Sequence, residues 1–298
     1  MTENVGQKCG VIALIGAPNA GKSTLLNKLV GSKISIVTPK VQTTRTRVTG
    51  IATKDNTQLI FIDTPGIFSP KSRMDKAMTK AAWKGMEGAD VVALLVDVKH
   101  AVDKNTSQII RNLQKNSVNA VLILNKIDLI EKPALLEIAA RLNKEGQFSA
   151  TFMVSAENGN GVEDLQKYFI DKVPYADWIY PEDQAADMPM RVFAAEITRE
   201  KLMLQMHQEI PYKIMVETES WLEKKNSINI NQIIYVVSDR HKKMVIGKGG
   251  QTIKTIGEKS RKELQYLIGK KINLFLFVKI KEDWQESKEN YGIMGLEF

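Results

Sequence analysis

The 298 residues carry 42 basic and 34 acidic side chains, a formal net charge of +8, with 43% hydrophobic and 26% charged residues. That length suits about two domains, and the composition excludes a disordered or low-complexity chain. A single cysteine, Cys9, excludes an intrachain disulfide and a multi-cysteine zinc site, while His100, His207 and His241 share no metal-ligand spacing.

The longest apolar run, Val91–Val96, is a strand's length and far short of a membrane span. Met1–Gly10 has no apolar stretch of the kind a secretory leader needs, so a cytoplasmic location is expected.

Along the first half, short apolar segments alternate with longer helical patterns. Val11–Ile15, Val48–Ala52, Leu59–Ile62, Val91–Val96, Ala120–Leu124 and Thr151–Val154 read as strands. Most lack period-2 alternation, as strands buried on both faces do. Lys22–Val30, Met74–Met86, Ser107–Asn116, Pro133–Leu142 and Val162–Phe169 read as helices. The repeated strand-then-helix order predicts an α/β domain with a mostly parallel sheet and helices on both faces.

The first strand runs into Gly16-Ala17-Pro18-Asn19-Ala20-Gly21-Lys22-Ser23, a GxxxxGKS loop, with Thr24 next in the helix that it opens. Such a loop turns backbone N–H groups around phosphate oxygens, and the helix N-terminus adds its dipole. Lys22 would neutralise β- and γ-phosphates and Ser23 would offer its hydroxyl to Mg²⁺. Asp63-Thr64-Pro65-Gly66 ends the strand beside it, where a carboxylate holds Mg²⁺ directly or through water, and where the Gly66 N–H reaches a γ-phosphate. Asn125-Lys126-Ile127-Asp128 ends a later strand. An ionised Asp there accepts from guanine N1–H and N2–H₂, a pair that adenine lacks. Asn125 can tie loops together, and the Lys126 stem can lie along the base. Ser155-Ala156, after the next strand, can present a backbone N–H to guanine O6.

In this order the motifs resemble those of translation-factor-like GTPases. The resemblance places a switch between Ser32 and Val48 and implies that a threonine of Gln42-Thr43-Thr44-Arg45 closes on Mg²⁺ and the γ-phosphate. Thr43 and Thr44 both stand open for that role. The expected metal set is therefore Ser23, Asp63 and Thr43 or Thr44, and Lys22, Thr44 and Gly66 are expected around the transferred phosphate. Lys40, Arg45 and Arg47 are read as solvated or RNA-facing rather than as transition-state donors. Ile67 stands where Ras-like proteins place a water-orienting Gln, and an Ile cannot orient water. Asn19 resembles the position that binds potassium in some GTPases of this branch. A P-loop kinase is the competing enzyme class, and the NKxD segment and the absence of a substrate lid argue against it.

Past Pro174 the texture changes. Pro174, Pro181 and Pro189 punctuate an acidic stretch that reads as a linker. The expected divisions are a nucleotide domain at 1–174, a linker at 175–189, a smaller α+β domain at 190–282 and a tail at 283–298. Met190–Ile197, Tyr212–Glu219, Asn229–Val237 and Lys271–Lys281 read as strands, and Glu200–Gln208 and Gln251–Ile268 as helices. In the last helix Ile253, Ile256, Ser260, Leu264 and Leu267 recur at helical spacing and would face the core.

Charge is uneven here. Between Arg240 and Lys281 there are twelve basic residues against Glu258 and Glu263, a net of +10, which points to a phosphate-rich partner. Within it lies Ile246-Gly247-Lys248-Gly249-Gly250, a GxxG loop opening a basic helix with Ile253 and Lys254 in its first turn. KH domains use such a loop to clamp about four single-stranded nucleotides. Lys248 and Lys254 would add charge, and Ile246 and Ile253 would floor a groove for bases. A lipid-binding module would need an amphipathic helix with exposed aromatics, and none is apparent. In the final strand Phe275 and Phe277 share one face with Lys279, and packing against a neighbouring element is expected of them before base stacking. Trp221 and Trp284 read equally as core or as stacking residues.

The whole chain resembles the Era family of bacterial GTPases, through Tyr180-Pro-Glu-Asp183, Glu196-Ile-Thr-Arg-Glu-Lys201 and Glu209-Ile-Pro-Tyr212 as well as the two sets of motifs. The resemblance implies a P-loop GTPase domain followed by a type II KH domain, binding of GTP or GDP with Mg²⁺, and K⁺ at Asn19. It also implies 16S ribosomal RNA near its 3′ end and the 30S subunit as partners, a role in subunit assembly, and peripheral association with the inner membrane. A monomer is expected. The chain departs from the pattern at its tail, where Glu282, Asp283, Glu286, Glu289 and Glu297 face only Lys288, so tail contacts with RNA or membrane are not carried over.

Overall fold

The computed structural model describes residues 6–101, 103–207, 210–287, 291–292 and 296–297. Gln208, Glu209, Lys288 and Glu289 lie outside the described residues. The chain forms two compact units. The first holds residues up to Ser35, then Thr44–Asp187, with 296 and 297. The second holds Ile36–Thr43 and residues 188–292.

In the first unit β1 (Lys8–Gly16), β2 (Val48–Lys54), β3 (Thr57–Asp63), β4 (Val91–Asp97), β5 (Ala120–Asn125) and β6 (Phe148–Val154) make one sheet in the order β2-β3-β1-β4-β5-β6. All neighbours pair in parallel except β2 with β3, which are antiparallel across a tight turn where Asp55 is left-handed at φ 51°. The helices are α1 (Lys22–Val30), α2 (Arg73–Lys84), α3 (Lys104–Lys115), α4 (Lys132–Glu145) and α5 (Val162–Lys172). One face of β4 and β5 (Val92, Leu94, Val96, Leu122, Leu124) packs with Ala82 of α2, Ile109 and Leu113 of α3 and Leu135 and Leu142 of α4. On the β3 side, α1 and α5 meet, and the Phe61 and Phe169 rings stand edge to face at 5.8 Å. Helices covering both faces explain why these strands carry unbroken apolar runs.

The proline-rich stretch read as a linker is bound to the first unit as far as Asp187. Cys9 N–H donates to the Pro174 carbonyl at 3.2 Å, Ile51 N–H to Ala185 at 2.8 Å and Asp187 N–H to Thr49 at 3.1 Å. Gln58, fully buried, clamps its middle. Its amide NH₂ donates to the Tyr180 carbonyl at 2.8 Å, and its Oε1 accepts the N–H groups of Ile179 and Tyr180, both at 3.0 Å. At the tail, Glu297 pairs with Lys80 at 2.6 Å and with Lys84, both on α2. Hydrogen bonds from Lys80 and then Lys84 lower its carboxyl to about 2. All three side chains are exposed, so the pairing adds little stability.

The second unit runs α6 (Met190–Gln205), β7 (Ile214–Lys224), β8 (Ser227–Val236), α7 (Asp239–Ile246), α8 (Gln251–Ile268) and β9 (Lys271–Ile280). Its sheet has the order β7-β8-β9, antiparallel then parallel, which is the type II KH arrangement. Two readings need correction. Met190–Ile197 is the first half of α6 rather than a strand. Ala194, Ile197, Thr198 and Leu202 are all fully buried at spacings of three, one and four, so one face of a helix explains a run that looks continuously apolar. The sequence reading also missed α7. It is short and polar, capped by Ser238 Oγ accepting the His241 N–H at 3.3 Å, and buries only Val245. In α8, Ile256, Ser260 and Leu264 are buried as the spacing predicts. Trp284 is fully buried and donates to the Lys213 carbonyl at 3.2 Å, which makes it a core residue. Trp221 is half-buried and bonds Glu223 at 3.1 Å.

Gln58→Leu removes the acceptor for two part-buried N–H groups and should cost about 1 kcal/mol. Urea denaturation should show that loss, together with faster proteolysis between residues 174 and 187. An unchanged cleavage rate would mean that Gln58 does not hold the segment.

Candidate functional site

Parallel strands that run in one direction bring their carboxyl ends to one edge. Gly16, Asp63, Asp97 and Asn125 end β1, β3, β4 and β5, and Ser155 follows β6. In register, Leu14 pairs with Asp63, Gly16 with Leu95 and Asp97 with Asn125. The sheet order reverses about β1, which is where open α/β sheets place a ligand crevice.

The GxxxxGKS loop sits at that point. Gly16 has φ 153°, and a Cβ there would lie 2.4 Å from the Leu95 carbonyl oxygen; one on Gly66 would lie 2.8 Å from Pro18. These two glycines let the loop and the Asp63–Gly66 turn close on each other, and Ile67 N–H donates to the Gly16 carbonyl at 3.0 Å. Thr64 Oγ1 donates to the Leu14 carbonyl at 2.9 Å, anchoring the same turn. Lys22 is buried, with its ammonium 3.2 Å from the Gly16 carbonyl and 3.1 Å from that of Ala17. Burial lowers its pKa to about 8, against the pull of Asp63. Asn19 stands exposed in a left-handed conformation, φ 62°. Thr24 follows Ser23 in the first turn of α1.

Asp63 is the hub of a cluster of hydroxyls. Its Oδ2 accepts from Ser23 Oγ at 2.6 Å, Thr44 Oγ1 at 3.3 Å and Ser35 Oγ at 3.4 Å, and Ser23 and Thr44 hydroxyls lie 2.8 Å apart. Its Oδ1 is buried without a hydrogen-bond partner. Burial raises the carboxyl's pKa, against Lys22 and these hydroxyls. A buried carboxylate with one orphaned oxygen and hydroxyls gathered on the other fits a hard cation that takes oxygen ligands. Thr44 is the threonine brought here. Thr43 turns away: its hydroxyl lies 2.7 Å from Thr38 Oγ1 and donates to the Lys40 carbonyl at 2.7 Å.

The segment before Thr44 belongs to the second unit. Glu200 accepts the Val37 N–H at 2.9 Å, and Arg199, held by Glu196, donates to the Thr43 carbonyl. Lys40 is not solvated as expected, because its ammonium caps the carbonyls of Met203 and Met206 at the end of α6. Arg45 is likewise buried, and only Arg47 of the three is exposed.

The base-facing elements are cross-tied by Asn125. Its Nδ2 donates to the Ala20 carbonyl at 2.8 Å, and its Oδ1 accepts the Ala156 N–H at 3.0 Å. Asp128 is exposed on the turn Ile127–Leu129, and Ser155 Oγ donates to its carboxylate. Lys126, left-handed at φ 66°, is fastened by a 2.6 Å ion pair to Asp97. Ile127 is half-buried and packs on the core. Sequence reasoning missed Asp97 and Ser35. Asp97 had a signal: it is the polar residue that ends an apolar strand, as Asp63 and Asn125 are. Ser35 had none, since it arrives from an irregular segment fixed by Asn27 Oδ1 accepting the N–H groups of Ile34 and Ser35. Ile67 is 4% exposed in the core with Ile15 and Val96, a packing residue and not a catalytic one.

In the second unit the GxxG loop joins α7 to α8. Gly247, Gly249 and Gly250 all have positive φ, and Lys248, Gly249 and Lys254 are exposed. Ile246 and Ile253 are half-buried beside them, and Ile253 packs on the cluster that contains Val245 and Ile256. This places an apolar floor next to a cationic, glycine-lined rim.

Residues 11–126 match a family described as 50S ribosome-binding GTPase, and residues 209–285 match the KH domain. The chain is 48% identical to GTPase Era of Brucella suis over 298 residues, covering 100% of this chain and 96% of that protein. It is 51% identical to GTPase Era of Mesorhizobium japonicum over 290 residues, covering 97% and 94%. Among solved structures, an Aquifex aeolicus Era variant bound to GDP·AlF₄⁻ superposes with a TM-score of 0.93 at 34% identity, covering 98% of this chain and 100% of that one. Era in complex with MgGDPNP and nucleotides 1506–1542 of 16S ribosomal RNA superposes with the same score, identity and coverage.

If Asp128 reads the base, Asp128→Asn should weaken GDP binding by roughly 100-fold, the equivalent of about 3 kcal/mol for two charge-assisted hydrogen bonds. The Asn NH₂ should at the same time favour xanthosine diphosphate, whose C2 carbonyl accepts. Fluorescent-nucleotide titration with both bases checks this, and unchanged GDP affinity would remove the assignment.

Proposed function

The chain belongs to the Era family of GTPases and hydrolyses GTP, and from that premise we propose that it is a nucleotide-controlled switch that binds 16S ribosomal RNA near its 3′ end and assists maturation of the small ribosomal subunit. The observation that carries the reading is the presence, in one chain, of a complete guanine-nucleotide edge and a cationic GxxG loop beside an apolar groove. The similarity to Era in complex with a 16S RNA fragment supports the choice of RNA.

The geometry supports the following roles. The N–H groups of Gly16–Thr24 wrap the phosphates, and Lys22 supplies a positive charge that burial makes costly until a phosphate joins it. Ser23, Thr44 and Asp63 would hold Mg²⁺, which when bound neutralises charge developing on the β- and γ-phosphoryl oxygens. Gly66, pressed against Pro18, offers its N–H toward the γ-phosphate position. Asp128 reads guanine, with the Lys126 stem along the base and the Ser155-Ala156 loop beside it, and Asn125 ties these loops together. Ile246, Gly247, Lys248, Gly249, Gly250, Ile253 and Lys254 form the RNA groove. A cytoplasmic location and a monomer suit this role. Peripheral contact with the inner membrane follows from the resemblance, and no helix among the described residues is long and apolar enough to cross a membrane.

Gly249 has open space around a would-be Cβ but φ 58°, so Gly249→Asp brings a carboxylate to the phosphate rim with only local strain. It should weaken binding of the 16S 3′-terminal RNA by at least about tenfold while hydrolysis of free GTP stays within about twofold. RNA affinity equal to the parent's would sink the groove assignment.

Ile67 cannot supply water orientation, and Asn19 stands exposed on the phosphate loop. We therefore propose that K⁺ bound at Asn19 contributes transition-state stabilisation. Hydrolysis should be several-fold faster in KCl than in NaCl at equal ionic strength, about 1 kcal/mol or more of barrier, and Asn19→Ala should erase the difference. Equal rates in the two salts would discard the cation.

A further inference from the structure

β9 has two faces with different chemistry. Leu276 and Val278 point to the helices and pack on the cluster of Val245 and Ile256. The opposite row reads Lys271, Asn273, Phe275, Phe277 and Lys279, with Lys281 just beyond the strand. Phe275 is 51% exposed and Phe277 is 50% exposed, so the packing expected of this pair is not what the structure shows. Across the register Phe275 lies beside Asn231 and Phe277 beside Ile233 of β8. Asn273 donates to Asn229 at 2.8 Å, Lys279 is 3.6 Å from Glu219, and the Lys281 ammonium lies 5.4 Å over the Tyr235 ring.

We propose that this outer face of β9 is a second RNA-contacting surface, on which Phe275 and Phe277 stack unpaired bases of a strand that leaves the GxxG groove and crosses the edge of the sheet. Three features choose RNA over a protein partner. First, the aromatic pair is bracketed by lysines along its own strand, and lysine is depleted from protein–protein interface cores, whereas basic tracks lined with aromatics bind single strands. Second, side chains two apart on a strand stand about 6.7 Å apart, which suits two splayed bases on a sheet, as in RNA-recognition sheets, better than a continuous stack. Third, β9 is an edge strand whose inner face already lines the groove side, so one chain of nucleotides reaches both faces without crossing another strand. The acidic side chains of the face, Glu217 and Glu219, lie on β7 rather than on β9, and Glu219 reaches across to Lys279.

The proposal rests on the RNA-binding reading of this unit, and RNA length separates the two. The full chain is titrated with nested fragments from within nucleotides 1506–1542 of 16S RNA, one of about 5 nucleotides that fills the groove and one of about 12 that overruns it. The double variant Phe275→Ala/Phe277→Ala should lose about tenfold or more in affinity for the long fragment, the scale of one or two lost stacks, and stay within about twofold on the short one. Gly249→Asp should lose both. Phe277→Trp should retain long-fragment affinity and show fluorescence quenching with the long fragment only. Equal affinity of parent and double variant for the long fragment overturns the proposal. So does an equal loss on both lengths, which would mean damage to the groove. A shift of the double variant from dimer to monomer in sedimentation, with RNA affinity unchanged, overturns it in favour of a contact between chains.

Discussion

The constraint on which the first unit depends is the common direction of five strands. Parallel pairing stacks the carboxyl ends of β1, β3, β4, β5 and β6 along one edge, and β4 and β5 are apolar along their length up to that edge. The first polar residue after each apolar run therefore lands on that edge. Asp63 is one of them, and Lys22 reaches the same edge from the start of α1; both are buried charges, and burial pushes their titrations in opposite directions, the carboxyl up and the ammonium down to about 8. A receptor built this way is incomplete as a protein and complete with a cation and a polyphosphate. The cost of desolvating both groups is met when the nucleotide arrives, since the phosphates supply the charge that Lys22 lacks and the metal the one that Asp63 Oδ1 lacks.

Asn125 gives the edge its rigidity. A single side-chain amide spends its donor on the phosphate loop and its acceptor on the Ser155-Ala156 loop, so the two loops share one buried group. Asp97 does the corresponding service for Lys126. Neither residue need touch the nucleotide to matter, because both fix the positions of groups that would.

Strand–helix alternation and the nucleotide motifs were legible in the sequence because each is a local pattern whose spacing has a direct physical reading. Lys22–Val30 and Gln251–Ile268 have the bounds that their periodicity predicts. What was not legible is instructive. Met190–Ile197 is apolar enough to read as a strand, and only the buried positions at 194, 197, 198 and 202, which extend past the segment, reveal a helix. Ser35 reaches Asp63 through an irregular segment pinned by Asn27, a contact with no periodicity to betray it. Thr43 and Thr44 are chemically the same residue side by side, and backbone direction alone separates them. The half-exposure of Phe275 and Phe277 depends on whether another element covers the outer face of a sheet, which alternation within one strand cannot state.

Ile67 sets the terms for hydrolysis. Its side chain is locked among Ile15, Val96 and other core residues, so the position cannot be turned toward the nucleotide without opening the core. Phosphoryl transfer through a loose transition state asks for charge stabilisation at the leaving and transferring oxygens, and it asks less of a base that activates water. A site that already concentrates N–H donors, a lysine and a metal carboxylate has most of that stabilisation in place. The proposed K⁺ would add positive charge at the phosphate loop. Asn19, left-handed and exposed at the tip of the phosphate loop, stands where a monovalent cation bound by a side-chain carbonyl would provide it. On the K⁺ proposal, hydrolysis without a glutamine is a matter of electrostatics delivered by the loop, and its rate depends on the monovalent cation present.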